Sequence, residues 1–349
     1  MTDAYRLLDE AATAAEAGDL AALAEILDRV PTASTNDPQL VEYFLAGFRA
    51  RLGAVGQTNL YLRHDEDLGQ IDLFAVLNRH LPLLRAARYA NDSLLPFLRG
   101  HSEATVLALG IGQGGQEIDL LSRAPWLQAM TVVGVDVAAE SVEAAGNALR
   151  AAGAEAATDV DYRPVVAATE ELNEALWESL RRAPHPMVVT ASFALHHMRD
   201  APDGQDARAV LFRRLRRLEP AGLALCEPDA DHHQLPLRAR FANAWHHYGT
   251  LFAAVDATPA TAAEKEAMRR FVGQEIHNVI GASDEDRYER HEPSATWVER
   301  LTAGGFRLQP PTGTEPLGVP GFTAVARPTH LELAFAGIPL VAVMTAVPS

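Results

Sequence analysis

The stretch of sequence that decides the fold covers residues 106–115 and reads Val-Leu-Ala-Leu-Gly-Ile-Gly-Gln-Gly-Gly. An apolar run that stops at clustered glycines is typical of a buried strand followed by a tight turn, because glycine lets the backbone approach a ligand where a Cβ atom would clash. A second apolar run, residues 131–136, ends on Asp136, 26 residues after Gly110. A carboxylate at that strand end can accept hydrogen bonds from both ribose hydroxyls of an adenosine. The stretch therefore predicts a site for NAD, FAD or S-adenosylmethionine.

Short apolar runs alternate with helical patterns on both sides of this stretch. The runs cover residues 105–109, 131–136, 162–166, 187–192 and 222–227, and Pro164 makes the third a weak strand. Strands that alternate with helices are typical of parallel βαβ units, so the chain is predicted to be an α/β protein with a doubly wound, mostly parallel sheet. Roughly the first 90 residues show helical spacing instead, and so do residues 236–280. These two regions predict an α-helical cap.

Two features separate S-adenosylmethionine from the dinucleotides. The letters Gly110, Gly112 and Gly115 match the dinucleotide-binding spacing, but a lone match of this kind has low specificity. The turn lies in mid-chain behind a helical block, and residues 192–198 resemble the segment after the fourth strand of class I methyltransferases, which in that family flanks the adenosine and the reactive methyl group. We therefore expect S-adenosylmethionine as cofactor and S-adenosylhomocysteine as product. The residues expected to bind the cofactor lie in the glycine turn and after two strand ends: Gly110, Gly112, Gln113, Gly114, Glu117, Asp136, Val137, Ala191, Ser192 and Phe193.

One position departs from the class I methyltransferase pattern. Those enzymes usually carry an acid two residues before the first glycine of the turn, where it holds the methionine amino group, and this chain has Ala108 there. Glu117 is a candidate to replace that acid. The departure is also the best support in the sequence for a protein that does not catalyse methyl transfer.

The composition limits the partners of the chain. The 349 residues include 30 Lys+Arg and 46 Asp+Glu, a formal net charge of −16. Such a balance disfavours nucleic acid and anionic membranes, whose phosphates need a basic surface. The mean hydropathy is −0.05, and no apolar run approaches the roughly 20 residues of a membrane helix. Cys226 is a lone cysteine, and the acidic N-terminus does not look like a secretory signal, so a cytoplasmic protein is expected.

Several segments together resemble one family, the GRAS-domain proteins. Residues 111–116 resemble its "IGQGxQ" element, residues 192–197 its "VFALHH" segment, and residues 227–232 its "EQEANH" segment. Residues 287–292 are similar to "RxERHE", and residues 297–306 to the C-terminal "WxxRLxxAGF". These resemblances follow the family order over nearly the whole chain.

The resemblance implies a Rossmann-like class I methyltransferase core with an α-helical cap. It divides the chain into an N-terminal helical cap (residues 1–95), a cofactor-binding core (96–231), a helical insertion that contributes to the cap (232–292) and a C-terminal part of the core (293–349). The best-known members are plant transcriptional regulators, whereas the bacterial relatives are thought to be methyltransferases that act on small molecules.

The glycine turn and the ribose acid favour the enzyme among these relatives. We expect a bacterial S-adenosylmethionine-dependent methyltransferase that acts on a small molecule bound between cap and core, with a specialised metabolite as one candidate. The alternative is a non-catalytic GRAS-type regulator that binds a ligand or a protein. A nicotinamide oxidoreductase is a third and more distant reading. The sequence leaves a homodimer open.

Methyl transfer to an atom that carries a proton needs a nearby base, and the family segments supply candidates. The predicted catalytic residues are Glu227, His232 and His196, although a histidine after a strand also commonly holds its turn in place. The predicted substrate-binding residues surround the cleft between cap and core: Tyr61, Arg63, Asp229, His247, Tyr248 and Asn278. No metal is predicted, because the Asp and His residues at 229–233 fit a solvated or helix-capping turn better than a metal site.

Overall fold

The computed structural model describes residues 2–32, 37–53, 70–201, 203–312 and 316–349. The predicted substrate-binding residues Tyr61 and Arg63 lie outside these ranges. No helix in the described part of the chain is both long enough and apolar enough to span a membrane.

The first half of the sheet is parallel, as the sequence predicts. Its strands are β1 (Glu103–Leu109), β2 (Ala129–Asp136), β3 (Asp159–Val166), β4 (Met187–Ser192) and β5 (Gly222–Pro228). They lie in the order β3-β2-β1-β4-β5. The strand order therefore reverses direction at β1, which makes this position the switch point of the sheet. Ligands of such sheets bind at the carboxyl ends of the strands beside the switch point.

The second half of the sheet is antiparallel. Its strands are β6 (Phe306–Gln309), β7 (Phe322–Ala326), β8 (Leu331–Phe335) and β9 (Ile338–Pro348). β9 pairs with β5 and with β8, β8 pairs with β7, and β6 also pairs with β9. These four strands lie beyond the alternating runs of the sequence, and β6 and β7 are short and partly exposed.

Pro164 is accommodated because β3 lies at the edge of the sheet. It is opposite Gly134 in the parallel pairing with β2, and β3 is the terminal strand of the order. An edge strand has no second neighbour for which a proline N–H would be needed. The proline therefore marks the edge of the sheet, and the weak third strand is confirmed.

Helices cover both faces of the sheet, and the alternation of side chains along β1 shows why. Val106 and Ala108 belong to the core under α5 (Ala86–Leu98), α6 (Gly115–Ser122) and α7 (Ala139–Ala156). Leu107 and Leu109 belong to the core under α8 (Glu174–Leu180), α9 (Ala207–Arg216) and α12 (Ser294–Ala303). A strand buried on both faces reads as a continuous apolar run. The doubly wound α/β fold with a helical cap is confirmed.

The cap brings together helices from two distant parts of the chain. They are α1 (Asp3–Glu16), α2 (Leu20–Leu27), α3 (Pro38–Ala50), α4 (Gln70–His80), α10 (Leu237–Ala257) and α11 (Ala262–Gly281). α11 packs against α3 and α4, and α10 packs against α1. Aromatic side chains join the two parts: the ring centroids of Phe44 and Phe241 lie 5.5 Å apart. The boundaries of the four predicted domains stay predictions.

Candidate functional site

A cavity of about 730 Å³ lies at the carboxyl ends of β1, β2 and β4. Side chains of α4 and α5 complete its wall, among them Phe74, Asn78, Arg88 and Asn91. Volumes of this size are typical of small-molecule sites. The cavity therefore lies where a doubly wound sheet binds its ligands, between the sheet and two helices of the N-terminal region.

The glycine turn between β1 and α6 forms one wall of the cavity. Gly110, Gly112 and Gly114 all have a positive φ, of 76°, 52° and 79°. A Cβ atom on Gly110 would lie 2.4 Å from the Cβ of Ala194, so glycine is required there for space as well as for conformation. Gly114 precedes the first turn of α6 as its N-cap. Gly110 and Gly112 therefore form a tight turn against the cavity, in agreement with the sequence-based interpretation.

Asp136 ends β2 and lines the same cavity. Its Oδ2 accepts a hydrogen bond from the Gly112 amide at 2.9 Å, and its Oδ1 accepts one from the Ala138 amide at 3.0 Å. Two backbone amides therefore hold the carboxylate in one orientation. Each carboxylate oxygen can accept a further hydrogen bond, which leaves capacity for the two hydroxyls of a ribose.

Glu117 is a buried acid on the cavity wall, with only 2% of its surface exposed. The hydroxyl of Thr190 donates a hydrogen bond to its Oε1 at 2.8 Å, but its buried Oε2 has no hydrogen-bond partner. Burial raises the pKa of Glu117 to about 7, and the bond from Thr190 only partly opposes this shift. A buried carboxylate with an unsatisfied oxygen is poised to bind a cationic or hydrogen-donating group of a ligand.

The cavity includes most of the predicted cofactor-binding residues. Those on its wall are Gly110, Gly112, Gln113, Glu117, Asp136, Val137, Ser192 and Phe193. Gly114 and Ala191 are not among the lining residues. Gly114 instead approaches α7, where an added Cβ would meet Ala145 at 3.3 Å. Ala191 points into the opposite core, because successive residues of a strand face opposite sides.

That alternation also identifies a residue that the sequence analysis missed. Thr190 lies two residues before Ser192, on the cavity side of β4, and holds Glu117. Counting by two from Ser192 would have found it. Asn78, Arg88 and Asn91 were missed as well, and no local motif marks them because they reach the cavity only through the packing of the helices against the sheet.

The three residues predicted to be catalytic do not line the cavity. Glu227 is fully buried; its Oε1 accepts a hydrogen bond from the Leu195 amide at 2.8 Å, and its Oε2 lies 2.5 Å from His196 Nδ1. Burial opposes a charge on His196, but Glu227 and Glu289 outweigh it and raise the pKa of His196 to about 10. Glu227 and His196 therefore hold the turn after β4.

His232, the third of these residues, lies in a second buried group. Its Nδ1 is 2.9 Å from Nδ1 of His291, and its ring stacks on Tyr248 with centroids 5.4 Å apart. Burial lowers the pKa of His232, and the neighbouring His291 and His247 lower it further. His232 has no exposed surface, so it packs in the protein interior and does not face the cavity.

The remaining predicted substrate-binding residues are also placed away from the cavity. Asp229 accepts a hydrogen bond from the Ser294 amide at 2.7 Å, at the start of α12. Asn278 accepts hydrogen bonds from two successive backbone amides, those of residues 288 and 289, at 2.9 Å each. His247 and Tyr248 are buried on α10. The structure thus brings none of these four side chains to the open cavity.

The fold and the cavity define a Rossmann-type α/β protein with a helical cap and a cavity at the switch point of its sheet. The model of the GRAS domain family matches residues 4–314. The chain belongs to this family, as the resemblance in the sequence predicts.

Curated plant proteins and one solved structure show how far the similarity extends. The chain is 26% identical over 290 residues to chitin-inducible gibberellin-responsive protein 1 of Oryza sativa subsp. japonica, covering 78% of this chain and 50% of that protein. It is 28% identical over 328 residues to Scarecrow-like protein 13 of Arabidopsis thaliana, covering 87% and 61%. The crystal structure of SCL7 from Oryza sativa overlaps with a TM-score of 0.77 at 22% identity, covering 99% of this chain and 100% of that one. The chain spans about half the length of the curated relatives it matches.

These relatives overturn one prediction. The prediction that the chain is an enzyme is not supported by its relatives. The proteins that it matches at 26–28% identity carry the names of gibberellin-responsive, Scarecrow-like and DELLA proteins, and not of methyltransferases. The prediction of a methyltransferase enzyme is therefore wrong. The structure separately places the three residues predicted to be catalytic, Glu227, His232 and His196, away from the cavity. The bacterial origin and the cytoplasmic location stay predictions.

Proposed function

We propose that this chain is a non-catalytic GRAS-type regulator whose cavity binds S-adenosylmethionine or S-adenosylhomocysteine as a ligand. The observation that carries the proposal is the position of two acids, Asp136 and Glu117, on the wall of one cavity beside the glycine turn. Occupancy of the cavity, and not chemical turnover, is the event that the protein reports.

The two acids match two separate parts of such a ligand. Asp136, held by the Gly112 and Ala138 amides, would accept hydrogen bonds from the ribose hydroxyls. Glu117 would pair through its unsatisfied Oε2 with the amino group of the methionine part. In that role Glu117 would replace the acid that class I methyltransferases usually carry at the position of Ala108. A charge-assisted hydrogen bond in a buried position is stronger than one between neutral groups.

The origin of the cavity wall supports a regulatory role. Its residues come from the strand ends and α6 on one side and from α4 and α5 on the other, so a bound ligand would contact both at once. A ligand that binds only the folded protein stabilises it in proportion to its concentration over its Kd. Binding would therefore strengthen the attachment of the N-terminal helices to the sheet. The names of the relatives, such as gibberellin-responsive and Scarecrow-like protein, agree with a protein that responds and does not catalyse.

Titration calorimetry with S-adenosylmethionine and with S-adenosylhomocysteine tests the proposal. Asp136→Ala should weaken the binding of both by about 1–3 kcal/mol, the cost of leaving polar groups unpaired. Asp161→Ala is the matched control, because Asp161 is an exposed acid on the neighbouring strand β3 and lies outside the cavity. Circular dichroism confirms that each variant is folded.

Two results would contradict the proposal. Absence of binding at high micromolar concentrations of both compounds would exclude them as ligands of the cavity. Equal affinity in the folded Asp136→Ala variant and in the Asp161→Ala control would show that Asp136 does not hold the ribose. Incubation with S-adenosylmethionine is expected to leave the compound unchanged, in keeping with a non-catalytic protein.

A further inference from the structure

Three side chains from distant parts of the chain converge next to the cavity. His196 and His197 follow β4, and Glu289 follows α11. One ligand atom of each lies within 4.8 Å of the others. Two imidazoles and one carboxylate form a donor set that is typical of zinc. The sequence pattern alone does not group them, because 92 residues separate His197 from Glu289.

Two separations within this group are longer than hydrogen bonds. His196 Nε2 lies 3.4 Å from Glu289 Oε2, and His197 Nδ1 lies 3.7 Å from Glu289 Oε1. A charge-assisted hydrogen bond would be about 2.7–2.9 Å long. Two donors on one tetrahedral ion, each about 2.0–2.2 Å from it, are instead roughly 3.3–3.6 Å apart. The two separations, each to a different oxygen of Glu289, are closer to the second range than to the first.

Glu289 supplies a second, independent observation. Its side chain has no exposed surface, and its Oε1 has no hydrogen-bond partner. A carboxylate buried in this way is costly unless it is paired or binds a metal ion. Its Oε2 is already engaged by His291 Nε2 at 3.1 Å. The unsatisfied oxygen is the one that lies towards His197.

The surroundings hold the donors in position. His196 Nδ1 lies 2.5 Å from Glu227, which turns Nε2 of the same ring towards Glu289. A carboxylate on the far nitrogen of a metal-binding histidine is the usual way in which such a ring is oriented. Asn278 fixes the backbone amide of Glu289 at 2.9 Å. Glu227 and Asn278 thereby gain a common role as supports of His196 and Glu289.

The site has a route for an ion. His197 is 22% exposed by its side chain and lines the cavity, whereas His196 and Glu289 lie behind it. We infer that His196 Nε2, His197 Nδ1 and Glu289 bind one Zn²⁺ ion, with the fourth position left to water or to a group of a cavity ligand. Three protein donors with one open position is a coordination that zinc commonly adopts.

Zinc binding to the untagged protein, stripped with a chelator and desalted, tests this inference without any nucleotide ligand. Calorimetry with zinc chloride and elemental analysis should show one ion per chain. His197→Gln and Glu289→Gln should each weaken the affinity at least about tenfold. His101→Gln, a change at an exposed histidine, is the control and should bind zinc like the unaltered protein. Co²⁺ in place of Zn²⁺ should give the visible absorption of a tetrahedral ion.

Two outcomes overturn the inference: less than one tightly bound ion per chain, or an affinity that survives both substitutions. If Glu289→Gln does not fold, the part-exposed His197→Gln variant and the stoichiometry of the unaltered protein still decide the matter. A protein that binds zinc but no S-adenosylmethionine would keep this site and reject the proposed ligand. A protein that binds S-adenosylmethionine but no zinc would keep the proposed ligand and reject this site.

Discussion

Gly110→Ala and Gly112→Ala add the same methyl group at two positions of one turn, yet they should damage different properties. Both glycines have a positive φ, 76° and 52°. An L-residue in a left-handed conformation costs about 1–2 kcal/mol. The two variants share this cost. They differ in what the new Cβ atom meets: Ala194 Cβ at 2.4 Å for Gly110, and no protein atom within 4 Å for Gly112.

That difference sets the size of the effect on stability. Carbon atoms pack at about 3.5–4.0 Å, so the turn and the segment at Ala194 must separate by more than an ångström to admit a methyl group on Gly110. Overpacking of this kind costs about 1–3 kcal/mol. Gly110→Ala should therefore lose about 2–5 kcal/mol of unfolding free energy, and Gly112→Ala about 1–2 kcal/mol. Urea unfolding followed by circular dichroism measures both values.

Ligand affinity should show the opposite order of effects. Gly112 lines the cavity, and its added methyl group would occupy open space there. A folded Gly112→Ala protein should therefore bind S-adenosylmethionine at least about tenfold more weakly, a loss of about 1.4 kcal/mol. Equal losses of stability in the two variants would refute the steric reasoning. Unchanged ligand affinity in Gly112→Ala would refute the placement of the ligand against the turn.

Two further predictions concern a buried acid and a helix contact. Burial raises the pKa of Glu117 from 4.5 to about 7, so the folded protein keeps a proton that the unfolded chain has released, and stability falls as the pH rises through this window by about 3 kcal/mol. Glu117→Gln should remove this loss of stability with rising pH. If the unfolding free energies of the variant and of the unaltered protein, measured at several pH values, change with pH in the same way, the prediction is contradicted. Gly273→Ala would place a Cβ atom 2.2 Å from the ring of Tyr43 and should cost about 1–3 kcal/mol. Gly249→Ala, whose Cβ atom would meet Leu40 at 3.6 Å, should instead be neutral or gain up to about 1 kcal/mol of thermal stability; equal melting temperatures in the two variants would count against the packing of α3 on α11.

The sequence predicts the glycine turn well because its requirements are local. Gly110 and Gly114 need a left-handed conformation, and Asp136 ends a strand next to them. Both requirements can be read from neighbouring letters. The same holds for the strand alternation that defines the fold. Pro164, which weakens the third strand in the sequence, marks the edge of the sheet in the structure.

The rest of the site depends on contacts between residues that are distant in sequence. His196, Glu227 and Glu289 meet only after the sheet and the segment behind α11 have packed together. The family-like segments at Glu227 and His196 therefore suggested a cleft, whereas the structure puts both side chains in the interior. Ala191 illustrates a smaller error, since a shift of one residue along a strand moves a side chain from the cavity to the opposite core. No sequence pattern shows which helices of the cap reach the cavity.

A crystal structure of the chain grown with S-adenosylhomocysteine tests the central claim most directly. Electron density for the ligand should fill the cavity, with the ribose hydroxyls within hydrogen-bond distance of Asp136 and the amino group within that distance of Glu117 Oε2. Density for the ligand at another place, or an adenosine that contacts neither acid, would contradict the claim.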